Sequence, residues 1–216
     1  EEAELLAQGI GGNITMSRAL AESAHGLTLN ESRVMMLAMR SVNPRQSPLK
    51  YAKYNQAVRV KVTAAEFGEL AALQTGEQGY TNRAAYEGLK AACEKLYERS
   101  ATWREGGKLV RMRWCFKSTY HEKEAWADIA YSPDITPHLF MLREKFVRYR
   151  LEYARGLRSL YSTNLLRLLM TQKDTGFKSI YLDEFRTIME VPESYRYADI
   201  KRYCITAPVK ELNDKA

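Results

Sequence analysis

The chain has 216 residues and a mass of 24.8 kDa, with 33 Lys and Arg against 26 Asp and Glu, and 45% of its residues are apolar. This composition excludes a disordered or collagen-like chain, because disorder combines few large apolar residues with a high net charge. The sequence contains no stretch of about 18 apolar residues, the length that can span a bilayer. Its three cysteines are widely separated and do not make an extracellular disulfide framework. We therefore expect a cytoplasmic protein with one or two globular domains and no membrane association.

Two capping boxes mark helix starts in the first half of the chain. In this motif a Thr and the Glu three residues later satisfy backbone N–H groups that have no partner inside the helix. Thr28 and Glu31 predict a helix that ends before Asn43-Pro44, and Thr63 and Glu66 predict a second helix.

The elements around these helices follow from periodicity. Residues 44–56 show no apolar periodicity, which indicates a loop. From Val58 to Val62 apolar and polar residues alternate, which predicts a half-buried strand. A longer helix is predicted from Asn82 to about Arg99. Leu109–Phe116 and Ala125–Tyr131 are rich in β-branched and aromatic residues and predict a hairpin. The order helix, strand, helix, turn, helix, hairpin is that of a winged helix.

The same order of elements returns in the second half. We predict a basic interdomain helix over 143–158, an apolar helix over Leu160–Met170, a short strand over Phe177–Leu182 and a helix capped by Asp183. A last helix, over about Tyr197–Leu212, ends the unit, and the chain stops at Ala216 without a second hairpin. The predicted fold is α+β and mainly helical, with two tandem winged-helix domains, residues 1–142 and 143–216, of which the second lacks its wing.

The C-terminal stretch resembles the second domain of the iteron-binding plasmid replication initiators, the Rep_3 family. The segments that carry the resemblance are Leu182-Asp183-Glu184-Phe185, the turn Val191–Tyr195, the ending Ala207–Asn213, the stretches Phe146–Leu151 and Leu157–Tyr161, and the opening Leu27–Arg33. The sequence departs from the family pattern at Asn164 and Leu166, where a basic residue and a Tyr are common.

The resemblance implies a partner, a role and an assembly. Initiators of this family bind repeated origin sites in double-stranded DNA as monomers, help to open the duplex and recruit the host helicase and host initiator. As homodimers, joined mainly through the first domain, many repress their own gene. No cofactor is implied.

Candidate DNA contacts lie on the two presumed recognition helices. In the last helix, Tyr197, Ile200, Cys204 and Ala207 recur at intervals of three or four and are expected to face the core. Arginine can donate two hydrogen bonds to guanine, and Asp can accept from cytosine or orient an arginine. Lysines are expected to contact phosphates, and Pro208 to bend or end the straight part of the helix. The predicted contacts are Arg196, Asp199, Lys201, Arg202, Tyr203 and Lys210, with Arg83 and Lys90 in the first domain.

Some charged residues leave alternatives open. The arginines between Arg143 and Arg158 are expected either to bind phosphate or to pair with Glu144 and Glu152.

Enzymatic function is not expected. The three histidines do not form the His-x-His metal pair of a nicking enzyme, and no Gly-x-x-x-x-Gly-Lys-Ser/Thr loop is present to hold nucleotide phosphates. Cys115 and His121 lack the companions that a zinc site needs. Two other functions remain as alternatives, a winged-helix transcriptional regulator and a protein-interaction module whose basic helices dock an acidic partner.

Overall fold

The computed structural model describes residues 12–48, 52–53, 57–75, 82–155 and 157–214. The first part of the chain forms β1 (Asn13–Ser17), α1 (Arg18–Ala21), α2 (Leu29–Arg40), β2 (Ala52–Lys53), β3 (Ala57–Thr63), α3 (Ala64–Thr75), α4 (Asn82–Leu96), β4 (Ser100–Glu105), β5 (Lys108–Arg113), β6 (Cys115–His121), β7 (Trp126–Tyr131) and β8 (Phe146–Arg150). The rest forms α5 (Leu160–Met170), α6 (Leu182–Met189), α7 (Tyr197–Asp199), a π-helical segment (Ile200–Thr206) and α8 (Ala207–Asn213). Because these last three elements are consecutive, we call residues 197–213 the C-terminal helix.

Both predicted capping boxes are confirmed. The Thr28 backbone N–H donates to the Glu31 carboxylate at 2.9 Å, and the Glu31 backbone N–H donates to the Thr28 hydroxyl at 3.4 Å. The same reciprocal pair joins Thr63 and Glu66, at 2.9 and 3.2 Å. These side chains satisfy the donors at the starts of α2 and α3 and so fix where both helices begin.

The main sheet has four antiparallel strands in the order β2-β3-β7-β6. The predicted strand over Val58–Val62 is confirmed as part of β3, whose Val58, Val60 and Val62 are at most 5% exposed while Arg59 and Lys61 point away. Strand β2 interrupts the predicted loop over 44–56, of which residues 49–51 and 54–56 lie outside the described residues.

The predicted hairpin is correct in kind but not in its bounds. Leu109–Phe116 is not one strand, because it spans β5 and the first two residues of β6. Strand β5 pairs with β4, which the sequence analysis did not predict, and β6 pairs with β7 through a shorter turn. The β4–β5 turn is Gly106-Gly107, and both glycines have the positive φ values, 54° and 76°, that such a tight turn requires.

Two glycines allow α3 and α4 to pack closely. A Cβ at Gly68 would lie 2.7 Å from the Ala85 Cβ, and a Cβ at Gly88 would lie 2.8 Å from the Phe67 ring. Since Phe67 is fully buried, the ring has little room to move. The position of α4 relative to α3 therefore requires glycine, which has no Cβ, at these two sites.

The predicted basic helix over 143–158 is wrong. Residues 146–150 form β8, which pairs antiparallel with β1 from Asn13↔Arg150 to Ser17↔Phe146, and a single 3₁₀ turn follows at Leu151–Ala154. Val147 and Tyr149 are buried in the larger core. Pairing with the distant strand β1 satisfies the backbone here, which outweighs the helical tendency of the arginines.

Helix α5 is confirmed, and it belongs to two hydrophobic cores. Leu166 packs into the larger core, which includes residues from β1 to β8, whereas Leu165 and Leu168 pack into a smaller core with residues of α6 and the C-terminal helix. The fully buried Arg167 guanidinium donates to the carbonyls of Ala21 and Ser23, both at 2.8 Å. Its burial lowers the pKa of Arg167 to about 10.

The stretch before α6 differs from its prediction. Residues 177–181 form no strand, and Tyr181, not Asp183, is the N-cap residue of α6. Asp183 lies within the first turn, where its carboxylate still interacts favourably with the helix dipole. The helix ends at Glu190, whose backbone is left-handed with φ 55° and ψ 45°.

The C-terminal helix buries residues at a constant spacing of four. Ile200, Cys204 and Pro208 are buried and Leu212 is partly buried, so the expected core positions Tyr197 and Ala207 are wrong because both are exposed. An ordinary helix has 3.6 residues per turn and would rotate such a series steadily around its axis. The wider π-helical segment compensates for this rotation and keeps the buried residues on one line. The chain also remains helical through Pro208 to Asn213.

No helix in the described ranges combines the length and the apolarity that crossing a bilayer requires.

Candidate nucleic-acid interface

The outward face of the C-terminal helix carries a line of polar side chains. Arg202, Thr206 and Lys210 share the spacing of four found on the buried line but are offset from it by two residues, and all three are exposed. They therefore lie on the side opposite Ile200 and Cys204. Lys201 and Tyr203 are exposed beside this line. The structure thus brings four of the predicted DNA contacts, Lys201, Arg202, Tyr203 and Lys210, onto the solvent side of one helix.

An aromatic side chain holds Arg202 in place. The Arg202 guanidinium carbon lies 5.3 Å from the centroid of the Tyr203 ring, which in turn lies 5.8 Å from the Tyr195 ring. Because a cation is attracted to an aromatic face, this contact restricts the arginine before any ligand arrives. A restricted side chain loses less entropy on binding than a free one.

Asp199 has a structural role at the start of the same helix. Its Oδ2 accepts the backbone N–H of Arg196 at 2.9 Å, which satisfies one of the donors that a helix start exposes. Arg196 is exposed at the N-cap position. The carboxylate is therefore already engaged with the Arg196 backbone rather than with the arginine side chain.

The two predicted contacts of the first unit lie on α4. Arg83 is exposed near the start of the helix. Further along, the Lys90 Nζ donates to the Glu122 Oε1 at 2.6 Å, which joins α4 to the β6–β7 turn. This hydrogen bond raises the pKa of Lys90 and lowers the pKa of Glu122. Both side chains are accessible to solvent, so the ion pair is weak and Lys90 can leave Glu122 for another anionic partner.

The β6–β7 turn is the wing of the first unit, and it has an ordered aromatic base. The His121 and Trp126 rings stack with centroids 3.7 Å apart, and the Lys61 Nζ lies 4.6 Å from the centroid of the Trp126 ring. Lys123 is exposed at the tip. The wing thus presents cations on a restricted hairpin next to α4.

Two of the basic residues around β8 lie near carboxylates. Arg150 lies 3.5 Å from Glu152, which is one of the two carboxylates expected as pairing partners. Arg155 lies 4.0 Å from Glu69. All four side chains are substantially exposed. Exposed pairs of this kind contribute little to stability.

Thr206, Glu211 and a set of arginines on the β4–β5 hairpin are not among the residues predicted from the sequence. Arg104, Arg111 and Arg113 lie on the outward face of that hairpin. The repeated spacing of four from Ile200 to Leu212 was the available signal for Thr206. Nothing in the sequence indicated the contacts of Glu211, because they join residues about fifty positions apart.

The described residues contain no group of three or more His, Cys, Asp and Glu side chains that could hold a metal ion. The thiols of Cys93 and Cys115 are buried, and burial raises their pKa values to about 12 and about 11. Both thiols are therefore protonated near neutral pH and are poor nucleophiles.

Comparisons with known proteins agree with this architecture. The family profile described as "Initiator Replication protein, WH1" matches residues 13–170, and the one described as "Initiator Rep protein, WH2" matches residues 181–216. A solved structure, "Crystal structure of Pi initiator protein in complex with iteron DNA", is similar with a TM-score of 0.73 at 19% identity, over 96% of this chain and 88% of that one. A WH1 domain described as MSBI1.176, a replication protein isolated from a multiple sclerosis patient, is 24% identical over 51% of this chain and 77% of its own, with a TM-score of 0.34. Because the two profiles together match most of the sequence, the chain belongs to the family of initiator replication proteins and consists of a WH1 and a WH2 winged-helix domain.

Proposed function

We propose that this chain is a plasmid replication initiator that binds directly repeated origin sequences, or iterons, in double-stranded DNA. The observation that carries the proposal is the exposed line of Arg202, Thr206 and Lys210 on a helix whose opposite side is buried. An α-helix with its side chains is about 10–12 Å wide and enters a major groove of about 12 Å. The iteron DNA in the description of the similar initiator supports the same ligand.

The chemistry of the C-terminal helix divides its residues between two tasks. Arg202, restricted by Tyr203, is suited to donate two hydrogen bonds to guanine O6 and N7, and Arg196 at the helix start is a second candidate for a base contact. Lys201 and Lys210 are suited to phosphate oxygens. Asp199 acts mainly by holding the helix start.

The first unit supplies a second, weaker contact in this proposal. Arg83 and Lys90 on α4 would approach DNA together with Lys123 on the wing. To reach a phosphate, Lys90 gives up its solvent-exposed hydrogen bond to Glu122 and forms one to a phosphate oxygen. The charge of the phosphate favours this replacement. The contact is expected to add affinity more than sequence discrimination.

Assembly and partners complete the proposal. Strand β6 lies at the edge of the four-stranded sheet, and an edge strand can pair with the same strand of a second copy. This feature supports a homodimer, joined through the first domain (1–142), in equilibrium with a DNA-binding monomer, while the second (143–216) carries recognition. When the monomer is bound to DNA in the cytoplasm, it helps to open the origin and recruits the host helicase and host initiator. It acts without a cofactor or catalytic residue, and its dimer represses its own gene.

The direct test is binding to the repeats that neighbour the gene, compared with random duplex DNA, across a salt series. Arg202→Ala should lose about 1 to 3 kcal/mol on the repeats and relax base discrimination, whereas Lys201→Ala should weaken all sequences alike and reduce the salt slope by about 1. The exposed Lys173→Ala, in the turn after α5, is the matched charge control and should change neither. Equal losses for Arg202→Ala on repeats and random DNA would contradict the assignment. Maintenance of a plasmid that lacks the gene would favour a transcriptional regulator instead.

A further inference from the structure

Glu211 joins the C-terminal helix to a part of the chain about fifty residues earlier. Its Oε1 accepts the backbone N–H of Arg158 at 2.6 Å, and its Oε2 accepts the hydroxyl of Ser162. Ser162 is fully buried, so the second bond is shielded from water. Neither bond involves a side chain of the exposed line of the helix.

The two bonds attach the carboxylate to the first turn of α5. Ser159 is the N-cap residue of this helix and accepts the backbone N–H of Tyr161 at 3.1 Å. A carboxylate beside a helix start is also stabilised by the helix dipole. Glu211 therefore connects the C-terminal helix to α5 and to the residue that precedes its cap.

Helix α5 is in turn fixed to the first domain. Leu166 packs into the larger core, and the buried guanidinium of Arg167 donates to the carbonyls of Ala21 and Ser23. Leu212, next to Glu211, packs against both cores. A continuous series of contacts thus runs from the first domain through α5 to the C-terminal helix, and Glu211 is its last polar member.

We propose that Glu211 is a positioning residue for DNA recognition, which fixes the direction of the C-terminal helix relative to the first domain. The inference rests on the proposed function, in which both domains contact one repeat. When two linked modules bind together, the second contact forms at a high effective concentration only if the geometry matches. Loosening the helix at Glu211 therefore removes the cooperation between the two contacts and leaves each separate contact intact.

The test compares the intact repeat with two shortened duplexes, each of which retains only one half of the repeat, because scrambling would not remove a phosphate contact that carries no sequence information. For the wild-type protein, the ratio of the affinity for the intact repeat to the affinity for the half that the second domain binds measures the benefit of binding with both domains. For Glu211→Ala this ratio should fall about tenfold, while the affinity for the half that the second domain binds changes less than about twofold. Because Gln can accept the Arg158 N–H and donate to the Ser162 oxygen, Glu211→Gln should restore most of the ratio.

Two further variants complete the design. Glu193→Ala removes an exposed carboxylate of the same domain and controls for the change in charge, so it should keep the wild-type ratio. Ser162→Ala removes one of the two bonds and should give an intermediate ratio, which answers the question even if Glu211→Ala does not fold. An unchanged ratio in both Glu211→Ala and Ser162→Ala would overturn the inference. A wild-type ratio near one would also overturn it, whereas a wild-type protein that binds the intact repeat no more tightly than random duplex DNA would overturn the proposed function.

Discussion

Glu190 offers a test of how the two domains are joined, because two opposing effects meet at this residue. Its Oε1 accepts the backbone N–H groups of His25 at 3.0 Å and Gly26 at 3.1 Å, across the boundary between the domains. The same residue has φ 55° and ψ 45°, a left-handed conformation that glycine adopts without strain. The side chain thus stabilises the structure while the backbone is strained.

The magnitudes of both effects can be estimated. Hydrogen bonds to a charged group contribute about 1.5 to 3 kcal/mol each, and because Glu190 is only half-buried we expect about 2 to 3 kcal/mol for the two together. The left-handed backbone costs a residue with a Cβ about 1 kcal/mol or more. Glu190→Ala should therefore lower the free energy of unfolding by about 2 to 3 kcal/mol, and Glu190→Gly, which also relieves the strain, by about 1 to 2 kcal/mol.

Urea and thermal unfolding of the whole chain provide the measurement. At about 2 to 4 °C per kcal/mol, Glu190→Ala should unfold roughly 5 to 10 °C below the wild type and Glu190→Gly about 3 °C above the Ala variant. Glu190→Gln, which retains an acceptor oxygen, should lie closest to the wild type. If the Gly variant is no more stable than the Ala variant, the left-handed backbone at residue 190 does not carry the expected strain. If both stay within about 0.5 kcal/mol of the wild type, these bonds do not join the domains.

Three other predictions concern the fold. Gly88→Ala should destabilise the protein by about 1 to 3 kcal/mol, because the new Cβ meets the buried Phe67 ring, and thermal unfolding should thus show the opposite of the gain that Gly→Ala usually gives inside a helix. Thr28→Ala should cost about 1 kcal/mol in urea unfolding through loss of the capping bond, while Thr28→Ser should cost little. Burial, and then the nearby guanidinium of Arg167, hold the pKa of His25 well below its usual value of 6.5. The unfolded state therefore binds more protons below pH 6.5, so stability should be complete above that pH and fall below it by up to about 1.4 kcal/mol per pH unit. His25→Gln should flatten this dependence, and an equally steep loss in that variant would show that another group causes it.

Local signals predicted the elements that have local causes. The capping boxes at Thr28 and Thr63, the alternation in β3 and the apolar composition of α5 all depend on residues within a few positions of one another. The order of these elements was sufficient to predict the winged-helix architecture. The spacing of Ile200 and Cys204 also predicted that Lys201 and Arg202 face away from the core, and both are exposed.

Elements with distant causes were not predicted. Strand β8 is a strand because β1 pairs with it from about 130 positions away, although Val147 and Tyr149 do alternate with the arginines. The pair Gly106-Gly107 was a local signal for the β4–β5 hairpin that the prediction did not use. The π-helical segment could not be expected from the usual helical period, and for this reason Ala207, which follows it, was wrongly expected in the core. Tyr197 precedes that segment and is exposed in the first turn of the helix.

The position of α5 between two cores has a consequence for dissecting this protein. A fragment that ends before residue 160 would leave the groove for Leu166 empty and the carbonyls of Ala21 and Ser23 without the Arg167 donor. A fragment that begins after residue 170 would deprive the smaller core of Leu165 and Leu168. Neither half can be truncated at this helix without losing part of its interior, so melting of one half should propagate to the other. Calorimetry of the intact chain is therefore expected to show one cooperative transition instead of two.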